Sequence, residues 1–207
     1  MKTKIALTFF LCCCFGTTLA QSDKTWQIGI KASILQTNTR LVKQPKNSIF
    51  NLRGIGSDYG FQAGLWGYKS LSKWLMLEND LYYQQRRHRM LNPNNVELRK
   101  NIYDYIGLSS RVGVKYRGVY ASFGPELNLL VNKDVKPWTE APRAELGLNM
   151  RLGYQYRFLK IEAFYSHALT PYEQSIELRE ENVKTLFYGN NLGLGIGVSL
   201  HSFKKKK

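Results

Sequence analysis

The stretch Ala144-Glu145-Leu146-Gly147-Leu148-Asn149-Met150-Arg151-Leu152-Gly153-Tyr154-Gln155-Tyr156 decides the fold. Every even-numbered residue in it is apolar or aromatic, and every odd-numbered one is polar, charged or glycine. Period-2 alternation of this length is the signature of a β-strand with two unlike faces, because successive side chains project to opposite sides of the pleat. Thirteen residues exceed the nine to eleven or so that cross a bilayer at a tilt.

Seven further runs share the pattern. They centre on Trp26 to Ile34, Tyr59 to Leu65, Leu75 to Tyr83, Ile106 to Tyr116, Val119 to Val131, Ile161 to Tyr165 and Leu192 to Leu200. The links between them alternate in length. Long ones cover residues 36–57, 88–101, 132–142 and 170–185, while short ones fall at 70–72, 117–118 and 157–158. Long loops at one end and tight turns at the other are the rule of outer-membrane barrels. The fold class expected is therefore all-β: an eight-stranded antiparallel up-and-down transmembrane β-barrel after a cleaved signal peptide.

Composition agrees. The chain has 207 residues, 43% hydrophobic and 13% aromatic, too apolar for a disordered protein, yet its mean hydropathy is −0.35. No apolar run reaches the 20 or so residues of a membrane-spanning helix, whereas a barrel hides its hydrophobicity in alternation.

Residues 1–20 read as an address. Lys2 and Lys4 precede the apolar stretch from Ile5 to Phe15, and Thr18 and Ala20 are small residues two apart, the arrangement of a secretory signal peptide. Residues 21–203 then form the barrel and 204–207 a basic periplasmic tail. Cys12, Cys13 and Cys14 all lie in the leader, so the mature chain offers neither a disulfide framework nor thiolate chemistry.

The polar face carries many glycines, among them Gly64, Gly107, Gly153 and Gly193, which suit a crowded lumen. Lys31, Arg111, Lys115, Arg143 and Arg151 share that face with Glu78, Asp80, Glu126, Glu145 and Glu162, a balanced set that predicts a closed interior of paired charges. The apolar face has Asn79 and Ser110 as its polar exceptions, with Trp26, Tyr59, Tyr83, Tyr116 and Tyr156 toward its edges as interfacial girdles. Pro125 interrupts one run and predicts a bulge. Phe203 has the opposite parity to Val198 and Leu200, an irregular ending for the last strand.

The segment from Tyr103 to Leu108, Val114-Lys115-Tyr116-Arg117, Tyr120 to Leu127 and Leu159 to Leu169 resemble the outer membrane protein beta-barrel domain family of Bacteroidota, PorT-like. The resemblance implies an outer-membrane location and leaves the activity open. The family's namesake is linked to secretion and gliding machinery.

No metal site and no cofactor is expected: His88, His167 and His201 are not spaced as ligand pairs. Ser199 and His201, two residues apart in an alternating run, share a face on strict parity and are the candidates for a lipid A-modifying enzyme, but no acid adjoins them to orient the imidazole. Ser166 and His167 point to opposite faces. Asp104 is a further carboxylate to pair with Glu78 and Asp80, with Arg111 and Lys115 nearby to neutralise them. A soluble periplasmic lipocalin-like barrel is the other alternative.

The net charge is +15, from 30 Lys and Arg against 15 Asp and Glu. The first long loop contributes Arg40, Lys43, Lys46 and Arg53, and the second Arg86, Arg87 and Arg89. These seven bases are the candidate contacts for lipopolysaccharide phosphates or an acidic partner. The leader argues against nucleic acid as a partner despite the basic pI. The function expected is a non-enzymatic envelope barrel with a structural, surface-interaction or secretion-accessory role, its partners being outer-membrane lipids including lipopolysaccharide and envelope or secretion complex proteins.

Overall fold

The computed structural model describes residues 26–43, 54–91, 97–134, 139–176 and 184–203. The leader at 1–20 and the tail at 204–207 lie outside the described residues.

Ten strands form one sheet: β1 (Trp26–Lys43), β2 (Gly54–Ser70), β3 (Leu75–Leu91), β4 (Glu97–Tyr116), β5 (Val119–Asp134), β6 (Thr139–Glu140), β7 (Ala144–Tyr156), β8 (Leu159–Ala168), β9 (Glu173–Ile176) and β10 (Lys184–Phe203). Eight of them, β1 to β5 with β7, β8 and β10, pair antiparallel with their chain neighbours. The pairing of β1 with β10 closes the barrel. The two short strands lie beyond the barrel proper. Where β8 ends, β9 takes its place beside the outer end of β10, and β6 pairs with β9.

The strands are longer than their alternating cores suggested. β4 and β10 have 20 residues each and β8 has 10, so the outer wall is tall on the β10-β1-β2-β3-β4 side and low at β8. The connections at the other end are residues 71–74, 117–118 and 157–158, as tight as expected.

The apolar phase faces outward. Ile34, Leu152, Leu194 and Ile196 are about three-fifths exposed (64%, 60%, 62% and 59%), as only a lipid-facing residue of a folded protein would be. Trp26, Tyr59, Tyr83, Tyr116 and Tyr156 are also exposed, at the two edges of this belt. Asn79 and Ser110, its polar exceptions, lie directly opposite one another across β3 and β4.

Inside, an eight-stranded barrel is only wide enough for its own side chains, and glycines set how they fit. Four inward aromatics each sit opposite a glycine on the neighbouring strand: Trp66 with Gly29, Tyr82 with Gly107, Tyr120 with Gly153 and Phe164 with Gly193. A Cβ on Gly107 would stand 2.1 Å from the Tyr82 ring, and one on Gly193 would stand 2.4 Å from Phe164.

One local expectation is corrected, and the irregular ending of the last strand is found and placed. Pro125 makes no bulge: it stays in register with Leu148 of β7, and the β4 register is the same on either side of it. The missing N–H leaves the ladder open for a step without adding a residue. The true irregularity at the chain end lies between β1 and β10, where Ile28 pairs with His201 but Gly29 pairs with Ser199. Leu200 is the extra residue of this bulge, and the slip sets position 203 opposite Trp26.

Candidate functional site

Two features of the barrel are candidates for function: its charged interior and its outer rim. The interior begins with Glu78 and Asp80, two residues apart on β3 and therefore on one face. Arg111 of β4 reaches both, at 3.1 Å and 2.5 Å. Lys31 of β1 lies 2.5 Å from Asp80, and Arg151 of β7 lies 3.2 Å from it. Glu162 of β8 pairs with Arg151 and, at 2.9 Å, with Lys160, which also meets Glu78. Tyr120 donates its hydroxyl hydrogen to Glu162 at 2.8 Å.

Further out, Arg86 of β3 donates to Glu145 and lies 3.7 Å from Glu126. Asn149 and Ser166 donate to Glu126 at 2.7 Å and 2.6 Å, and Asn128 donates to both acids. All of these charged side chains are buried. Three acids and four bases meet in the inner cluster, two acids and one base in the outer one. The buried charge of the two together is balanced, as burial demands.

The five acids are those the alternation singled out. Of the five bases expected with them, Lys31, Arg111 and Arg151 lie inside, and Lys115 sits half-buried near the turn end with its Nζ on Gln155. Arg143 does not: it is exposed, one residue before β7 begins. Arg86 and Lys160 take the remaining interior places. Asp104 faces away from Glu78 and Asp80 and accepts hydrogen bonds from Gln85 and Asn132 instead.

An aromatic layer closes the outer end. Tyr103, Tyr105, Tyr172 and Phe187 form a fully buried cluster. His88 stacks on Tyr172 at 4.2 Å and meets Tyr103 edge-on, with Nδ1 2.7 Å from the Thr39 hydroxyl. Below them the Arg86 guanidinium lies 4.7 Å from the centre of the Tyr105 ring. Burial, and then the charge of Arg86, lower the pKa of His88 to about 3. His88 stands outside the lipid belt, since the outward residues beside it on β3 are Gln85, Arg87 and Arg89.

The rim bases are distributed as follows. Arg86 is fully buried and belongs to the interior, so it leaves the set of surface contacts. β3 runs on to Leu91, and Arg86 keeps the inward phase of Glu78 and Asp80. Arg87 is half-buried in the outward phase, held by the side-chain carbonyl of Gln85 at 3.0 Å. Arg89 is 3.1 Å from Asp58, and Lys100, which the register sets beside Arg89, is 3.5 Å from the same carboxylate. Burial raises the Asp58 pKa, but the hydrogen bond from Arg89, that from the Tyr59 amide and the charge of Lys100 leave it below its ordinary value. Arg40 and Lys43 are in the outer end of β1, opposite Tyr188 and Leu186. Lys46 and Arg53 lie outside the described residues.

The Ser199–His201 pair is not assembled. The bulge at Leu200 keeps Ser199 in phase with Gly197 and sets His201 on the exposed face opposite Ile28, so the two point to opposite sides of the wall. Ser166 and His167 do take opposite faces: Ser166 is in the lumen and His167 is beside Tyr165 on the outside. Among the described residues no group of His, Cys, Asp and Glu is arranged to hold a metal ion.

Arg86, His88, Tyr103 and Tyr105 carried a readable signal, the continuation of the inward phase of β3 and β4 past their apolar cores. Phe187 carried the same signal on β10, where it keeps the inward phase of Asn191 and Gly193, whereas Tyr172 carried none, because it enters the cluster from a bend before β9.

An apolar exterior around a hydrogen-bonded, charge-balanced interior defines a transmembrane β-barrel, and closed antiparallel barrels of this kind are built into outer membranes. No protein-family model and no curated protein matches the chain. Solved structures do. The outer membrane protein OprG from Pseudomonas aeruginosa is similar with a TM-score of 0.53 at 12% identity, over 87% of this chain and 97% of that one. The outer membrane protein AlkL, solved in DMPC lipid bilayers, is similar with a TM-score of 0.51 at 11% identity, over 90% and 92% of the two chains. The protein is an eight-stranded barrel of the outer membrane.

Proposed function

We propose that this protein is a non-enzymatic, non-conducting barrel whose working surface is its outer rim, where bases at the ends of β1 and β3 engage the phosphates of lipopolysaccharide. The observation that carries this reading is the filled lumen. Ten interlocked charged side chains and an aromatic layer above them leave the interior occupied by the protein's own groups. Transport through the centre would require dismantling pairs that are costly to separate.

Arg40, Lys43, Lys46, Arg53, Arg87 and Arg89 are the contacts proposed. A planar guanidinium binds a phosphate through two parallel hydrogen bonds, and several together hold a phosphorylated sugar. Asp58, drawn between Arg89 and Lys100, positions two of the rim cations and leaves the group net positive. The resemblance to the Bacteroidota barrel family supports an envelope role of this kind, with accessory work for an envelope or secretion complex as its extension.

Reconstitution in planar bilayers and binding to immobilised lipopolysaccharide test the two halves of the proposal. The expected result is no step conductance, together with binding that falls when Arg87 and Arg89 are both replaced by Gln. Stepwise channel currents, or unchanged binding by that variant and by one lacking Arg40 and Lys43, would overturn it.

A further inference from the structure

At the opposite end of the barrel the chain makes three tight turns, and their construction repeats. In the turn between β4 and β5, Arg117 has φ 49° and Gly118 φ 91°. In the turn between β7 and β8, Arg157 has φ 51°. Two-residue hairpins need positive φ at the first central position, and Asn or Gly supplies it at least cost. Both turns place Arg there instead, against local preference, and strain of that kind marks positions held for another reason.

Both arginines are used alike. The guanidinium carbon of Arg117 lies 5.2 Å from the centre of the Tyr116 ring, and that of Arg157 lies 5.3 Å from the centre of the Tyr156 ring. In the third turn, exposed Lys73 precedes Trp74, whose indole stacks on Tyr116 at 5.1 Å. All three aromatics are more than half exposed. No Asp or Glu occurs in the three turns, and neither Arg117 nor Arg157 makes an ion pair among the described residues. The acids closest along the chain to the three turns, Glu78, Glu126 and Glu162, are inside the barrel and already held by Lys160, Arg111, Arg86 and Arg151.

We propose that these turns form a binding ring for the headgroups of anionic phospholipids in the periplasmic leaflet. Exposed aromatics sit at headgroup depth, the arginines beside them have donors free for a phosphate diester, and a cation held over a ring presents its charge at the interface. The long loops are at the other end of the barrel, so the lipopolysaccharide leaflet is not within reach of these turns. Each base near such a surface strengthens attraction to anionic lipid roughly fivefold.

The test is retention of phosphatidylglycerol against phosphatidylcholine by the folded chain in mild detergent, measured by native mass spectrometry from an equimolar mixture. Wild type is expected to retain phosphatidylglycerol preferentially. Arg117→Asn combined with Arg157→Gly gives both turns residues suited to positive φ, so the barrel keeps its heat-dependent gel shift while the preference falls on the order of 30-fold. Lys73→Gln, which touches no strained backbone, is expected to lower it roughly fivefold. Equal retention of the two lipids by wild type would overturn the proposal, as would a preference that survives in both variants. Co-sedimentation of wild type with peptidoglycan, lost in the double variant and unaccompanied by any lipid preference, would assign the ring to the cell wall and overturn it equally.

Discussion

Arg86 and Glu145 meet across the outer half of the lumen, from β3 to β7, with Nη1 donating to both carboxylate oxygens at 2.7 Å and 2.9 Å. The Nε of Arg86 donates to Gln84 at 2.6 Å, so the guanidinium is fixed from two sides. Fifty-nine residues separate the pair in sequence. It joins β3 to a strand that is not its neighbour in the sheet and ties the barrel wall across its bore.

Removing one partner from a buried ion pair costs about 3–5 kcal/mol, because the other charge is stranded. Glu145→Gln should cost the lower end of that range, since Glu126 at 3.7 Å still faces the guanidinium. Arg86→Met should cost more, leaving both Glu126 and Glu145 without a cation. Urea midpoints of the barrel in lipid vesicles, followed by the heat-dependent gel shift, would measure the order. Equal losses would show that Glu126 takes no part.

The aromatic layer should weaken in acid. His88 is neutral in the fold because burial and Arg86 lower its pKa to about 3, whereas in the unfolded chain it titrates near 6.5. Between those values the unfolded chain binds the extra proton, so stability rises with pH across that window. Its contribution is fully present above about pH 6.5 and is lost at up to about 1.4 kcal/mol per pH unit as the pH falls toward 3. Protease cleavage of the outer loops, compared at pH 7 and pH 4.5, should increase in wild type and change less in His88→Gln. Parallel pH profiles for the two proteins would remove His88 from the explanation.

The outward phase of β10 tests the lipid belt. Ile196 is 59% exposed in the folded chain. Ile196→Arg should reduce folding into bilayers by about 2–4 kcal/mol if the residue lies near the midplane. In a barrel facing water the same change would cost almost nothing, and folding yields in phosphatidylcholine vesicles distinguish the two.

Gly107→Val should be more damaging than its size suggests. The first added carbon already falls 2.1 Å from the Tyr82 ring, whose hydroxyl donates to Asn128 at 2.9 Å and so resists displacement. Overpacking of this kind costs about 1–3 kcal/mol or more. Tyr82→Ala should recover part of the loss in the double variant, and a double variant no more stable than the single one would show that the ring is not the obstacle.

His201→Ala should leave the lipid A profile of the host membrane unchanged, because Ser199 and His201 point to opposite sides of the wall. Mass spectrometry of extracted lipid A is the measurement, and the loss of a modification would restore the enzymatic reading.

Alternation alone determined that this chain makes strands, which residues share a face, and where the tight turns fall. Side chains two residues apart must lie on one side of a pleat whatever the strand pairs with. The same rule already placed Glu78, Asp80, Glu126, Glu145 and Glu162 together on the polar phase. It also misled wherever phase was broken. One extra residue at Leu200 separates Ser199 from His201 and brings position 203 back opposite Trp26; the parity of Phe203 signalled an irregular ending, but not that the slip falls between Ser199 and His201.

Tertiary structure alone decided which charges meet. Ion pairs across the bore depend on the stagger of eight strands around a closed circuit, a property of the whole sheet that no single strand encodes. For Arg86 the inward parity with Glu78 and Asp80 was legible, but only the continuation of β3 past the lipid belt made a base that looked like part of a loop the fixed centre of the outer lumen.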